Sequence, residues 1–380
     1  MAYVAVKGGT LAIEESIKRL KYERLKKGMV VDCNMIEGGM RGLIDQVMSE
    51  SCLYSETLAA IAIKQAEGSP EEAVFLMRAY RSALPRKHYS RTVSPENMRV
   101  ERRISASFKD IPGGQILGAA CDYTHRLIDF DLTRETEAEA ADWLQEYTRQ
   151  NGTSTHPAGL ADLPKVLDYL REEGLLAACA DNDREPDDVT MKSVQFPASR
   201  SEKLQILTRG QTGAVTSLGY AALRGYGALH PTVGELRIGN LPVYIDNPFA
   251  AQNEDDAYYI GEIRVTEVET LFPTESQNEN GQKDMEFSLG YGICYGQNES
   301  KAIAMSILDR CLEEGNPDYP THDQEFVLLH IDAVESTGFI SHLKLPHYVT
   351  FRSKLDSVRK IRAGKDFDTE NGESKHEDRL

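Results

Sequence analysis

The sequence predicts an α+β fold, a helical N-terminal domain followed by a mixed α/β C-terminal domain with a mainly antiparallel sheet. Up to Leu84 apolar residues recur at helical spacing between capping signals, whereas from Leu236 onward they gather into β-rich runs separated by Gly, Pro and Asn. Size agrees: 380 residues, 41% hydrophobic and 27% charged, can bury a large core and divide into two or three domains.

Leu11, Ile13, Ile17 and Leu20 stand among Lys, Arg and Glu, which predicts a surface helix over 10–27 ended by Gly28. A second helix surrounds Leu43, Ile44, Val47 and Met48. The best-marked start is Ser69-Pro70-Glu71-Glu72: Ser69 caps, Pro70 suits the first turn, and Glu72 can reach back to close a capping box. That helix runs through Ala73, Val74, Met77 and Tyr80 and stops by Leu84, because Pro85 disfavours α geometry at the residue before it. These helices define a domain over 1–95. An α+β domain over 96–355 follows, with an acidic, helix-prone insertion at about 131–195 anchored by Trp143, Leu144, Val166, Leu167 and Leu170. Strands are expected over 236–245, 258–268, 287–295 and 326–334. Between the last two, Ile303, Ile307, Leu308, Cys311 and Leu312 form an amphipathic helix stopped by Gly315. Residues 356–380 form a polar tail expected to be flexible.

The 43 Lys and Arg against 60 Asp and Glu give a formal charge of −17, which argues against nucleic-acid binding and against an anionic membrane surface. No apolar run approaches the roughly 20 residues of a membrane span. The start, Met1-Ala2-Tyr3-Val4-Ala5-Val6-Lys7, lacks signal-peptide order, so the expected compartment is the cytoplasm. The six cysteines, at 33, 52, 121, 179, 294 and 311, form no C-x-x-C pair, so neither a zinc ribbon nor a disulfide framework is expected.

Three stretches carry groups suited to chemistry. In Met98 to Gln115, basic residues including Arg102, Arg103 and Lys109 lead through Asp110 into Pro112-Gly113-Gly114, whose backbone N–H groups can approach an anion. Close behind, Cys121-Asp122-Tyr123-Thr124-His125-Arg126 packs an acid, a phenol, an imidazole and a guanidinium together, which points to a phosphate or substrate site; the bland alternative is a solvated helix face and a turn. Next, Arg200, Lys203, Arg209 and Arg224 face one acid, Glu202, as a pocket wall would, and Gly225-Tyr226-Gly227 leads to His230 and Glu235. Finally, His342 and His347 can converge from a loop on one metal ion, with His330, Glu325 or another polypeptide as further donors; solvated imidazoles are the bland alternative.

Two nucleotide motifs fail. Lys7-Gly8-Gly9-Thr10 has P-loop composition in the wrong order, and Gly290-Tyr291-Gly292-Ile293-Cys294-Tyr295-Gly296 misses the dinucleotide spacing by one residue. A glycine-bearing strand against which another backbone packs closely accounts better for the second.

Taken together, Tyr3 to Gly9, Glu101 to Ala106, Lys109 to Gln115, Asp122 to Leu127, Arg224 to Gly227, His230-Pro231, Gly234-Glu235 and Phe339 to Tyr348 resemble the PhnI family, core subunits of bacterial carbon-phosphorus lyase. The resemblance spans most of residues 1–350 and fades over about 131–190 and after 355. It implies phosphonate catabolism and a nucleosidase-type subunit that displaces adenine from ATP at the ribose anomeric carbon. With PhnG, PhnH and PhnL it implies transfer of ribose 5-triphosphate to methylphosphonate; alone, hydrolysis of ATP or GTP to the free base. It further implies contact with PhnJ, with PhnK as an additional partner, two copies in a symmetric hetero-oligomer, and zinc on His342 and His347. Mg²⁺ is expected with ATP. For that chemistry Arg102, Arg103, Lys109, Arg200 and Arg224 are candidates for the triphosphate. Asp110, Asp122 or Glu235 is the candidate carboxylate, and His125 or His230 the candidate proton donor. A noncatalytic scaffold contributing a metal site and a stand-alone metallohydrolase are the competing expectations.

Overall fold

The computed structural model describes the backbone of residues 9–152, 163–177, 184–227, 230–249, 256–277 and 283–373. Its sheet has four antiparallel strands in the order β1-β2-β3-β4: Arg99–Ile104, Thr232–Asp246, Ala257–Gln277 and Lys283–Tyr295. Helices in chain order are α1 Gly9–Leu25, α2 Cys33–Gly39, α3 Arg41–Ser51, α4 Glu56–Gln65, α5 Pro70–Ser82, α6 Glu137–Asn151, α7 Asp168–Glu172, α8 Arg200–Arg209, α9 Thr212–Ala221, α10 Glu299–Glu314, α11 Gln324–His330, α12 Ala333–Ser341 and α13 Tyr348–Glu373. The α+β class is therefore observed. None of the described helices is long and apolar enough to cross a membrane.

The expected α5 forms with Ser69 Oγ accepting from Glu72 N at 3.4 Å. Complete capping boxes occur instead at Thr136/Glu139 and Ser199/Glu202, which start α6 and α8. Ile36, Ile44, Val47, Met48, Ala59, Ile63, Val74 and Met77 bury one face each of α2 to α5 in a common cluster. Polar bonds fasten this bundle to the sheet region: Tyr54 Oη accepts from Arg264 N at 3.0 Å, and Arg78 pairs with Asp332 at 2.6 Å. By contact density, Val31–Val334 form one compact unit, and Met1–Val30 with Glu335–Leu380 form another.

Helix α10 covers one face of the sheet, and the glycines of β4 permit it. A Cβ on Gly290 would stand 2.1 Å from Ser306 O, and one on Gly292 2.1 Å from Ala302 O. This is the close backbone approach that the glycine spacing suggests. Thr270 and Ser306 hydroxyls bond across the same interface at 2.6 Å. Gly315, at φ +62°, ends α10 as expected.

One expected strand is corrected, and two further stretches take definite form. Residues 326–334 are no strand: Asp323 caps α11 by accepting from Phe326 N at 2.7 Å, and Val327, Leu328 and Ile331 share its buried side. The basic stretch after Met98 is no helix face but β1. A bulge between Val100 and Arg102 sets Arg102 opposite Ile238 and Arg103 opposite Arg237, so the two arginines point to opposite sheet faces. The polar tail is helical as far as Glu373 within α13.

Candidate active site

A cleft of about 980 Å³ opens on the α10 face of the sheet, where the N-termini of α3 and α10 meet the loop that follows β1. Its basic groups are Arg41, Arg102, Arg126 and Lys301, and its acids Asp45, Asp122 and Glu299. Neither Met40 before α3 nor Asn298 before α10 caps its helix with a side chain. First-turn N–H groups and the positive ends of two helix dipoles therefore belong to the cleft wall, an arrangement suited to an anion.

The loop over 117–126 is laid down by specific contacts. Gly118, at φ +60°, passes so close to β1 that a Cβ would stand 2.9 Å from Arg102 Cβ. Arg102 donates to Leu117 O and to Asp122 Oδ2, and reaches Glu299 Oε2 at 3.1 Å, while Gln297 Nε2 donates to Ala119 O at 2.9 Å. Arg102 is only 4% exposed, yet its Nε has no partner. Arg126 stands on the wall in left-handed backbone at φ +55°, a conformation that costs a non-glycine residue roughly 1–2 kcal/mol.

Four charged residues on this wall, Arg41, Asp45, Glu299 and Lys301, escaped the sequence reading. Asp45 lies in α3, buried, and accepts from Gln297 N at 2.9 Å; burial pushes its carboxyl above the ordinary range against the pull of that bond and of Arg264 and Arg41. Lys301, fully buried, donates to Thr208 O at 2.5 Å, and burial lowers its ammonium. Glu299 shares Arg102 with Asp122. A legible signal existed for Asp45: an acid set between Ile44 and Val47 on the apolar side of a helix.

Of the residues singled out from sequence, the structure brings Arg102 and Asp122 to the cleft, together with Cys121, Thr124 and Arg126 of the same dense stretch. Arg103 lies on the opposite face, wholly buried, with Nε on Glu235 Oε1 at 2.5 Å and Nη2 on Pro164 O at 2.6 Å. Glu235 completes that pair by accepting from Val166 N at 2.9 Å. The Pro112-Gly113-Gly114 turn wraps this arginine: Pro112 O accepts from it, and Gly114 N closes the turn on Ile111 O at 2.9 Å. Lys109, Asp110, His125 and His230 are exposed and do not line the cleft. Arg200 pairs with Asp309 at 2.8 Å and Lys203 with Glu313 at 3.0 Å, so the expected electropositive wall is matched by acids of α10. Arg224 lies over the Tyr220 ring, 5.9 Å from its centroid. Of the resembling segments, residues 1–8 lie outside the described ones.

His342 and His347, in the second unit, have ring centroids 5.5 Å apart. Each Nδ1 contacts a backbone carbonyl, Phe339 O for His342 and Leu345 O, at 2.6 Å, for His347. That partner fixes the tautomer that leaves Nε2 as the lone-pair nitrogen, the orientation found in imidazoles that ligate metals. Among the described residues no third His, Cys, Asp or Glu completes a ligand group. Two imidazoles so oriented would fit half of the ligand set of a tetrahedral zinc.

An α+β chain with an anion-suited cleft on one sheet face defines a class, a protein equipped to bind or act on an anionic ligand. Comparison makes it specific. The family model for the bacterial phosphonate metabolism protein PhnI matches residues 2–365, and the chain belongs to that family. HtxH of Stutzerimonas stutzeri is 42% identical over 366 residues, covering 94% of this chain and 95% of that protein. The alpha-D-ribose 1-methylphosphonate 5-triphosphate synthase subunits PhnI of Rhizobium meliloti and of Escherichia coli are each 39% identical, covering 95% and 94% of this chain and 95% and 98% of their own lengths.

Proposed function

We propose that this chain is the nucleosidase-type subunit of an α-D-ribose 1-methylphosphonate 5-triphosphate synthase, and that the α10-face cleft holds the nucleoside triphosphate whose base is displaced. The observation that carries the reading is the cleft itself. Its volume lies at the upper end of the roughly 300–1,000 Å³ typical of ligand sites, and two helix N-termini with Arg41, Arg102 and Arg126 gather positive potential in a chain of net charge −17.

The triphosphate is oriented by Arg41 at the N-terminus of α3 and by Arg126 of the loop over 117–126, with Mg²⁺ accompanying it as a substrate component. Asp122, fixed by Arg102, is the carboxylate suited to stabilise positive charge that develops at the anomeric carbon. A phosphonate oxygen attacks that carbon and adenine leaves. PhnG, PhnH and PhnL-type subunits are the proposed partners in the transfer, with PhnJ and PhnK-type subunits in the wider assembly. His342 and His347 are proposed to hold zinc jointly with a partner; when bound, zinc cross-links the chains and polarises what it ligates.

The scaffold alternative has one observation in its favour. Phe339, Ile340, Tyr348, Val349 and Phe351 are all largely exposed, as residues that meet another chain would be. One assay separates the readings: Mg-ATP and methylphosphonate incubated with this chain, alone and with its partner subunits, resolving adenine from ADP. Adenine without ADP is expected. Release by the partners in the absence of this chain would refute the catalytic role.

A further inference from the structure

The reading above needs a proton donor, because a purine leaves an anomeric carbon poorly as an anion. His125 and His230, the imidazoles nearest to that role in the sequence, are exposed and do not line the cleft. Asp122 and Glu299 do line it, but both are engaged by the Arg102 guanidinium. One carboxyl of the cleft differs.

Asp45 is 3% exposed and is enclosed by the turn between β4 and α10. Gly296, at φ +68°, closes on it so tightly that a Cβ there would stand 2.2 Å from Asp45 Cγ. The next residue, Gln297, donates its backbone N–H to Oδ2 at 2.9 Å. One rotamer of one carboxyl is thus held against the wall of the nucleotide cleft by a glycine no other residue can replace without displacement. Arg41 from α3 and Arg264 from β3 face it, as do the Tyr54 phenol and the Cys294 thiol, yet burial outweighs the two guanidiniums and favours the protonated acid.

We infer that Asp45 is the acid that protonates the departing purine, an inference that rests on the cleft being the nucleotide site. As the bond from the anomeric carbon to N9 breaks, its electron pair enters the purine ring. The Asp45 proton passes to N7, so the base leaves neutral. The phosphonate oxygen, its own proton already lost to water, supplies the electron pair of the new carbon–oxygen bond. Asp45, left as the carboxylate, regains a proton from solvent.

The test uses the assembled complex and two substrates: Mg-ATP, and 4-nitrophenyl β-D-ribofuranoside 5-triphosphate, whose nitrophenolate departs without a proton. Asp45→Asn keeps the shape and the acceptor for Gln297 N–H. Its adenine release is expected to fall by about 10²–10⁴ in kcat with KM for ATP changed by less than about threefold, while nitrophenolate release falls by less than about tenfold. Wild type supplies a check that needs no variant: adenine release declines as pH rises along a limb that nitrophenolate release lacks. Undiminished adenine release by Asp45→Asn, equal loss on both substrates, or the same limb with rising pH on both would overturn the assignment. No adenine from the wild-type complex would instead overturn the nucleotide reading, and the assignment with it.

Discussion

The two faces of the sheet treat charge in opposite ways, and adjacent residues of β1 show it. Arg103 enters the face opposite α10, where Glu235, Pro164 O and Pro112 O engage its guanidinium. The same face holds Arg237 on Glu267 at 2.6 Å and Lys165 between Glu267 and Glu269 at 3.1 and 3.0 Å. Burial alone would raise the Glu267 carboxyl, but Arg237 and Lys165 more than offset it and hold it below the ordinary range. Arg102 enters the other face, where its Nε lacks a partner and burial pushes the Asp45 carboxyl above its ordinary range. The first face matches each of these charges with an opposite one and positions a sheet, leaving Glu269 Oε2 as its unpartnered buried atom. The second retains unmatched donors and acceptors, and a ligand site requires those.

The largest effect should come from breaking the closed face. Arg103→Met leaves Glu235 buried and unpaired, and should destabilise the chain by about 3–5 kcal/mol in urea unfolding. Gly292→Ala drives a Cβ into Ala302 O from the α10 side and should cost about 1–3 kcal/mol or more by the same measurement. On the open face, Arg126→Ala should change stability by less than about 0.5 kcal/mol, yet weaken Mg-ATP binding by roughly tenfold to a hundredfold in calorimetric titration. Equal stability losses for Arg103 and Arg126 variants would erase the distinction between the faces.

Asp309 sharpens it through pH. Burial, resisted by Arg200 and Tyr291 N–H, pushes its carboxyl up to about 6 from 3.8, so the folded chain binds more protons than the unfolded one between those values. Its charge therefore costs stability as pH rises from 4 toward 6, by roughly 2–3 kcal/mol at the upper end. The stability of wild type relative to Asp309→Asn should decline over that window; a flat difference would remove the cause assigned. The smallest structural effect is expected from His347→Ala, exposed on its loop: unfolding unchanged, zinc content of the purified complex reduced by elemental analysis.

Elements built on apolar periodicity were legible in the sequence. The helices around Ile44 and Met77, the amphipathic α10 with its Gly315 stop and the glycine-bearing β4 all follow from spacing and punctuation. β1 was not legible because arginines hold its buried positions, satisfied by acids distant in sequence. Residues 326–334 misled because a short apolar run fits either period, and the Asp323 cap decides for helix. At the site, Arg102 and Asp122 were legible as dense polar chemistry. Arg103 and Glu235 looked equivalent, since a one-residue step that reverses a side chain across a sheet is invisible without the register. Asp45 and Glu299 reach the cleft from elements more than 250 residues apart, which only the tertiary structure joins.

The central claim is that the nucleotide occupies the α10-face cleft. It is tested most directly by photolabelling the assembled complex with 8-azido-ATP and mapping the modified peptides. The account predicts ATP-protectable label in the α3 N-terminal turn, the loop over 117–126 or the 296–301 segment. Protectable label confined to peptides bearing Lys109 and Asp110, Arg200, or Arg224 and His230 would contradict it.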